Sequence, residues 1–333
     1  MSMDANTPPR VAVIIPAFNR EDLLRETLDS VVAQTYRDWE AIVIDDASSD
    51  GTYAVAQEYE RADPDRVRAL RLEQNQGIAG ARMAGMAAAR GGDLLCLLDS
   101  DDYWKPTYLE HSVALYDRSR ADGRKVGLIS CNPLILTPEG ISGETWFDRI
   151  GYPEQVDLDV MIRRNYVHAR AVISREAWEA AGGVFAPECR GSDDYDLWLR
   201  ILELGYEVVT FEEPLVVYRD HEGADSHDHG SRAEGKLAAY DRALDRGALT
   251  PAQRRAVRAQ IRHFRALRDR ELVYRAVVSR RPFEAIRRAL IALPTGAVAF
   301  LQDRSRWREW MHDLRRPAGN LRRVKSLLER SEG

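Results

Sequence analysis

The chain has 333 residues, 44% of them hydrophobic and 30% charged, enough apolar material for a substantial core and more length than one small domain needs. Its three cysteines, Cys96, Cys131 and Cys189, are widely spaced and form no CxxC pair or Cys/His cluster, which excludes a disulfide framework and a zinc site and fits a reducing, cytoplasmic compartment. The net charge of −5 is uneven: residues 251–333 hold 20 arginines and one lysine against eight acids, a net +13, which leaves −18 for residues 1–250 and argues against nucleic acid as a partner of that acidic body.

Residues 1–9 are polar with two prolines and read as a flexible N-terminus without the apolar stretch of a signal peptide. Residues 11–15 form an apolar, β-branched run that stops at Pro16, the pattern of a buried strand. Residues 21–34 carry Leu23, Leu24, Leu28, Val31 and Val32 at helical spacing. A second strand over 39–44 ends at Asp45 and Asp46, and turn and cap residues 48–51 lead into a helix over 52–59. A strand over 67–72, an Ala-rich helix over 77–90 and a fourth strand over 94–98 follow, the last ending in acid. Strands are expected again at 126–131, 208–211 and 215–218, and helices at 175–181 and 194–204. Residues 222–232 read as a polar loop, and helices are predicted over 233–246, 251–280, 283–293, 307–315 and 321–330. The longest apolar segment, 289–301, is broken by Pro294 and falls short of the roughly 20 residues a membrane span requires.

Strand and helix alternating at this spacing mean βαβ units and a mainly parallel sheet, whose ligands sit beyond the carboxyl ends of the strands. Strand one ends at Pro16-Ala17-Phe18-Asn19, strand two at Asp45-Asp46 and strand four at Asp99-Ser100-Asp101-Asp102, so three polar strand ends converge on one edge.

Carboxylates are hard oxygen ligands suited to Mg²⁺ or Mn²⁺, and three at the mouth of a buried strand repel one another unless a cation is present. A metal there, bridging to a diphosphate, offsets the charge that develops on a departing nucleoside diphosphate. Helix capping ahead of Lys105 and Pro106 is the alternative; the position directly behind an apolar strand favours the metal. Asp46 can accept hydrogen bonds from a base or ribose, or simply cap the turn that follows. Asp193 and Asp194 open a helix whose Leu197, Trp198 and Ile201 face inward; they either complement the helix dipole or supply a general base for a hydroxyl. Asp196 is expected to pair with Arg200 on the same helix. His221, after Tyr218-Arg219-Asp220, is a metal or diphosphate ligand or an ordinary surface residue.

Taken together, Val-Ile-Ile-Pro-Ala-Phe-Asn (13–19), Val-Ile-Asp-Asp-Ala-Ser-Ser-Asp-Gly-Thr (43–52), Leu-Leu-Asp-Ser-Asp-Asp-Tyr-Trp (97–104), Ser-Asp-Asp-Tyr-Asp-Leu-Trp-Leu-Arg (192–200) and Tyr-Arg-Asp-His (218–221) resemble the inverting family 2 glycosyltransferases of the GT-A fold. The resemblance covers about residues 10–225 and rests on five motifs in order at strand ends. It implies a Rossmann-like mixed sheet flanked by helices, Mn²⁺ or Mg²⁺ as cofactor, and a nucleotide-diphosphate sugar, UDP-sugar above all, as donor. A glycan, a lipid-linked sugar or a small molecule would be the acceptor.

By the resemblance, Pro16, Ala17, Asn19 and Ser100 line the nucleotide, Asp46 bonds its base, and Asp99 holds the ribose or assists the cation. Asp101 is the principal metal ligand, with Asp99 and His221 as further candidates. Asp194 is the general base and Asp193 its helper, while Arg82 is a nucleotide contact. Two departures stand out: Asp193 replaces a usual glutamate, and Arg20 stands where an acid is common.

Residues 226–333 then form a basic α-helical extension that matches nothing recognised. Its arginines 254, 255, 258, 262, 265 and 268, with Trp307 and Trp310, are expected to dock on the inner face of the cell membrane, on another protein copy, or on the acidic domain itself. Two other function classes stay open. One is a noncatalytic GT-A-like scaffold. The other is a nucleotidyltransferase, disfavoured because Pro16-Ala17-Phe18-Asn19-Arg20 offers no string of glycine amides.

Overall fold

A computed structural model describes residues 10–220 and 229–278. The N-terminus 1–9, His221 with the loop up to residue 228, and the helices expected at 283–293, 307–315 and 321–330 lie outside the described residues.

The chain begins with β1 (Val11–Ala17), α1 (Glu21–Val32), β2 (Trp39–Asp45), α2 (Thr52–Ala62), β3 (Val67–Arg71), α3 (Gly77–Ala88) and β4 (Leu94–Leu97). Then come β5 (Tyr103–Trp104), α4 (Tyr108–Ala121), β6 (Val126–Cys131), β7 (Leu134–Thr137), β8 (Gly140–Thr145), α5 (Trp146–Ile150), α6 (Leu158–Arg163), β9 (Val172–Ser174) and α7 (Arg175–Ala180). A 3₁₀ turn at Pro187–Cys189 precedes α8 (Asp193–Glu203), β10 (Glu207–Phe211), β11 (Val216–Arg219), α9 (His229–Arg246) and α10 (Pro251–Val278).

Seven strands form the main sheet in the order β10-β6-β9-β4-β1-β2-β3. All pair in parallel except β9, which runs antiparallel to both β4 and β6. This is the mixed, mainly parallel α/β sheet expected. Strand β1, between β4 and β2, is buried along its whole length, because helices cover both faces and every residue, odd or even, meets a core. Ala12 and Ile14 join Ile42, Ile44, Leu95 and Leu97 in one cluster with α3, α8, α9 and α10. Val11, Val13 and Ile15 join Ala41, Val43 and Cys96 in the other, with α1, α2 and α4.

Several elements go beyond the sequence pattern, among them β5, β7, β8, α5 and α6, for which no element was expected. Helix α4 was not expected at all, because its buried face includes Ser112 and Ser119, which blur the apolar period. Strand β9 has three residues, too few for a pattern. Strand β11 joins a second sheet, in the order β5-β11-β7-β8, rather than extending the first.

The first part of the basic extension packs on the sheet domain. Leu237, Ala239, Tyr240 and Ala243 of α9, with Val257 and Ile261 of α10, belong to the same core as α8.

Candidate active site

The ends of β1 and β2 are knitted into one rim. Asp46 N donates to Ala17 O at 2.8 Å. Asn19 N donates to Ser48 Oγ at 2.9 Å, and Asn19 Oδ1 accepts from Ser49 N at 2.9 Å. Asn19 and Ala47 both have positive φ, 51° and 60°. Asparagine tolerates that region; an alanine there costs on the order of 1–2 kcal/mol and is held only by its surroundings. Pro16 and Ala17 are buried within the strand, whereas Phe18 is 44% exposed at the rim, an apolar ring beside Asn19 to which the sequence reading gave no role. Asp46 is buried and accepts from Gln76 N at 2.7 Å, which ties the rim to the start of α3; burial raises its pKa against that bond.

Helix α3 then delivers Arg82, only 2% exposed, into the acids. Its guanidinium donates to Asp193 Oδ2 at 2.8 Å and to Asp99 Oδ1 at 3.1 Å. One side chain thus joins the end of β4 to the first turn of α8. Arg82 was expected to touch the nucleotide; in the structure it bonds the two carboxylates.

A second guanidinium, Arg170, comes from the turn before β9. It pairs with Asp99 Oδ2 at 3.0 Å and, through Nε, with Asp102. Asp102 Oδ1 also accepts from Arg219 N at 2.8 Å, and Arg20 Nε lies 3.6 Å from Asp101 Oδ2. The repulsion expected within Asp99-Ser100-Asp101-Asp102 is therefore compensated by three guanidiniums from separate stretches of chain, those of Arg20, Arg82 and Arg170, and by the Arg219 amide. Burial pushes the Asp99 carboxyl up, but Arg170 and Arg82 outweigh it and hold the group below the usual range. Ser100 is buried between the acids.

At α8, Asp193 is buried against Arg82, and burial raises its pKa despite the arginine. Asp194 is half-buried, with Oδ1 accepting from Tyr195 N at 2.8 Å. Asp196 pairs with Arg200 at 3.0 Å, as expected, and also with Arg242 and Arg246 of α9.

No group of three or more His, Cys, Asp or Glu side chains converges as a metal cage among the described residues. Asp99 and Asp102 are tied to Arg170. Asp101, 15% exposed, lies beside Arg20, and Asp99 is 19% exposed, so these two carboxylates, unlike the fully buried one of Asp102, face outward. That suits Mg²⁺ or Mn²⁺, which bind through one or two carboxylates and take remaining ligands from substrate phosphates and water.

Arg170, Arg219 and Glu26, which pairs with Arg219, carry this arrangement without having been singled out from sequence. No local pattern could have found Arg170, whose partner Asp102 lies 68 residues away.

Residues 12–180 match the family model described as Glycosyl transferase family 2. A Bacillus subtilis (strain 168) protein named for teichuronic acid biosynthesis, glycosyltransferase TuaG, is 31% identical over 215 residues, 64% of this chain and 80% of that one. The solved structure of S. aureus TarS 1–349 in complex with UDP-GlcNAc superposes with a TM-score of 0.62 at 16% identity, covering 86% of this chain and 81% of that one. The mannosyltransferase PcManGT from Pyrobaculum calidifontis, in complex with GDP-Man and Mn²⁺, gives 0.59 at 23% identity, over 93% and 85%. Both share the sheet and its flanking helices. A family match over half the chain and a relative above 30% identity agree with the motifs at the strand ends: the chain belongs to glycosyl transferase family 2.

Proposed function

We propose that the protein transfers a sugar, with inversion, from a nucleoside-diphosphate donor to an acceptor hydroxyl in polysaccharide or glycoconjugate biosynthesis. The observation that carries this reading is the Arg82 bridge between Asp99 and Asp193. It sets the acidic strand end, where a diphosphate would leave, against the helix start that holds Asp194, the base candidate.

Asp194 Oδ2 takes the proton of the acceptor hydroxyl. The hydroxyl oxygen bonds to the anomeric carbon from the face opposite the diphosphate, the carbon–oxygen bond to the diphosphate breaks, and the nucleoside diphosphate departs. One displacement inverts the centre. Asp193, held by Arg82, stays out of proton transfer and fixes the helix start. The rim of Pro16, Ala17, Asn19 and Asp46 receives the base, and Asp99 and Ser100 border the ribose.

Asp101 would hold Mn²⁺ or Mg²⁺, which supplies Lewis-acid neutralisation of the leaving diphosphate. His221 is a further candidate ligand. The TarS complex with UDP-GlcNAc supports UDP as the nucleotide, the PcManGT complex with Mn²⁺ supports the metal, and the name of TuaG supports a polysaccharide product.

A panel of nucleotide sugars with Mn²⁺ tests the reaction class: nucleoside diphosphate should be released, whereas pyrophosphate would indicate nucleotidyl transfer. Asp194→Asn should lower turnover by about 10²–10⁴-fold with donor binding retained; activity within tenfold of the parent would remove Asp194 from the role of base. Asp101→Ala should abolish stimulation by Mn²⁺ or Mg²⁺, and full activity of the parent protein in excess EDTA would remove the metal from the reaction.

A further inference from the structure

Arg20, basic where an acid is common, stands at a position where its side chain does nothing for its own helix. It is the N-cap of α1, its carbonyl oxygen accepting from Leu23 N at 3.1 Å and Leu24 N at 2.9 Å, but its side chain makes no capping bond. Serine, threonine, aspartate and asparagine are the residues that cap, and a cation at this end opposes the helix dipole. The backbone is pinned from the far side, Arg20 N donating to Thr52 Oγ1 at 2.8 Å. A residue fixed where it breaks a local rule is explained by chemistry rather than by folding.

The charge goes to the acidic strand end. Arg20 Nε pairs with Asp101 Oδ2 at 3.6 Å, while Nη1 donates to Asn19 O at 3.2 Å. Asp101 is itself held in place, its carbonyl oxygen accepting from Arg219 Nε at 2.9 Å. Arg82 and Arg170 reach Asp99 at 3.1 and 3.0 Å, with side chains 3% and 14% exposed against 27% for Arg20. Those two belong to the fixed frame of the site. The Arg20 pair is longer, more open to water and easier to part.

A divalent cation that takes an oxygen of Asp101 must share the carboxylate with this guanidinium or push it aside, and either costs affinity. We propose that Arg20 sets the metal affinity of the site, its guanidinium acting as a resident counter-charge on Asp101 that incoming Mn²⁺ or Mg²⁺ repels or displaces. The assignment rests on Asp101 being the metal's carboxylate, and the two ideas separate experimentally. Full-length parent, Arg20→Gln, Arg20→Lys and Asp101→Ala are titrated with MnCl₂ at fixed ionic strength. Bound metal is read from the loss of the free Mn²⁺ signal in electron paramagnetic resonance. The titration is run without nucleotide and again with UDP, after subtracting the Mn²⁺ that UDP binds by itself, and the proteins are compared in each state where the parent binds.

Arg20→Gln should tighten Mn²⁺ binding about threefold to tenfold, and the gain should shrink at high salt. Arg20→Lys, which keeps the charge, should stay within about twofold of the parent, and Asp101→Ala should bind no Mn²⁺. A purely structural role for Arg20 would not make the metal bind more tightly when the charge is removed. Two results overturn the proposal alone: parental or weaker Mn²⁺ affinity in Arg20→Gln while Asp101→Ala binds none, or equal tightening in Arg20→Gln and Arg20→Lys. Parental Mn²⁺ binding by Asp101→Ala, or no binding by the parent in either state, would instead overturn the metal's place on Asp101 and this role together.

Discussion

Four carboxylates and their guanidinium partners decide the chemistry available at the sheet edge. Arg170 holds two of the acids, and its own backbone is held by a neutral histidine. Arg170 N donates to His168 Nδ1 at 3.1 Å, so the ring proton sits on Nε2, which faces Cys131 Sγ at 3.8 Å. Burial, reinforced by Arg170, lowers the His168 pKa to about 3. The unfolded value is about 6.5, so between these limits the unfolded chain binds the extra proton. Stability from this residue is therefore complete above about pH 6.5 and declines as pH falls toward 3. Between pH 7 and pH 5 the loss should approach about 2 kcal/mol. Denaturant titrations of the parent and of His168→Gln at both pH values measure it: the variant should lose that share of the decline, and identical declines would mean that His168 is not held neutral.

Among the elements, α3 is the one on which the site turns, since it begins at the Asp46 contact and carries Arg82. It lies close on the sheet because Gly85 has no side chain. A Cβ there would stand 2.5 Å from Ile14 Cγ2 and 2.6 Å from Ile44 Cδ1, both fully buried. Gly85→Ala gains about 1 kcal/mol of helix propensity, but overpacking costs about 1–3 kcal/mol. The expected net is a fall in melting temperature of a few degrees, with lower transfer activity as Arg82 shifts from Asp193 and Asp99. A melting temperature above the parent's would show that the sheet has room to spare. The acidic strand end itself was legible because an apolar run precedes it and fixes its place. Helix α4 and strand β9 were not, since serines facing a core and a three-residue strand carry no period.

At the scale of the whole molecule, the divided charge acquires a geometry. Of the six arginines noted in the sequence of α10, Arg254 donates to Leu249 O and Gly247 O and Arg268 pairs with Asp269. Arg255, Arg258, Arg262 and Arg265 are exposed, three or four residues apart, on the side away from Val257 and Ile261. Among the described residues no helix is long and apolar enough to cross a membrane. This face supports the proposed peripheral contact with anionic lipid, each arginine contributing about 1 kcal/mol near such a surface. Changing all four to glutamate should reduce co-sedimentation with phosphatidylglycerol vesicles at least tenfold and leave neutral vesicles unaffected. Equal sedimentation of both proteins would end the membrane reading.

Periodicity and residue order determined the α/β class, the strand ends as the site's edge and the motifs of the family, because each is written in contiguous residues whose spacing fixes which way they face. Only the tertiary structure decided the counter-charges. Arg170 reaches Asp102 across 68 positions, and Lys236 comes to lie over the Tyr195 ring only because Gly235 lets one helix settle against the chain entering another. Pairings of that kind depend on how layers dock, and docking is set by packing over the whole core rather than by any short stretch of sequence.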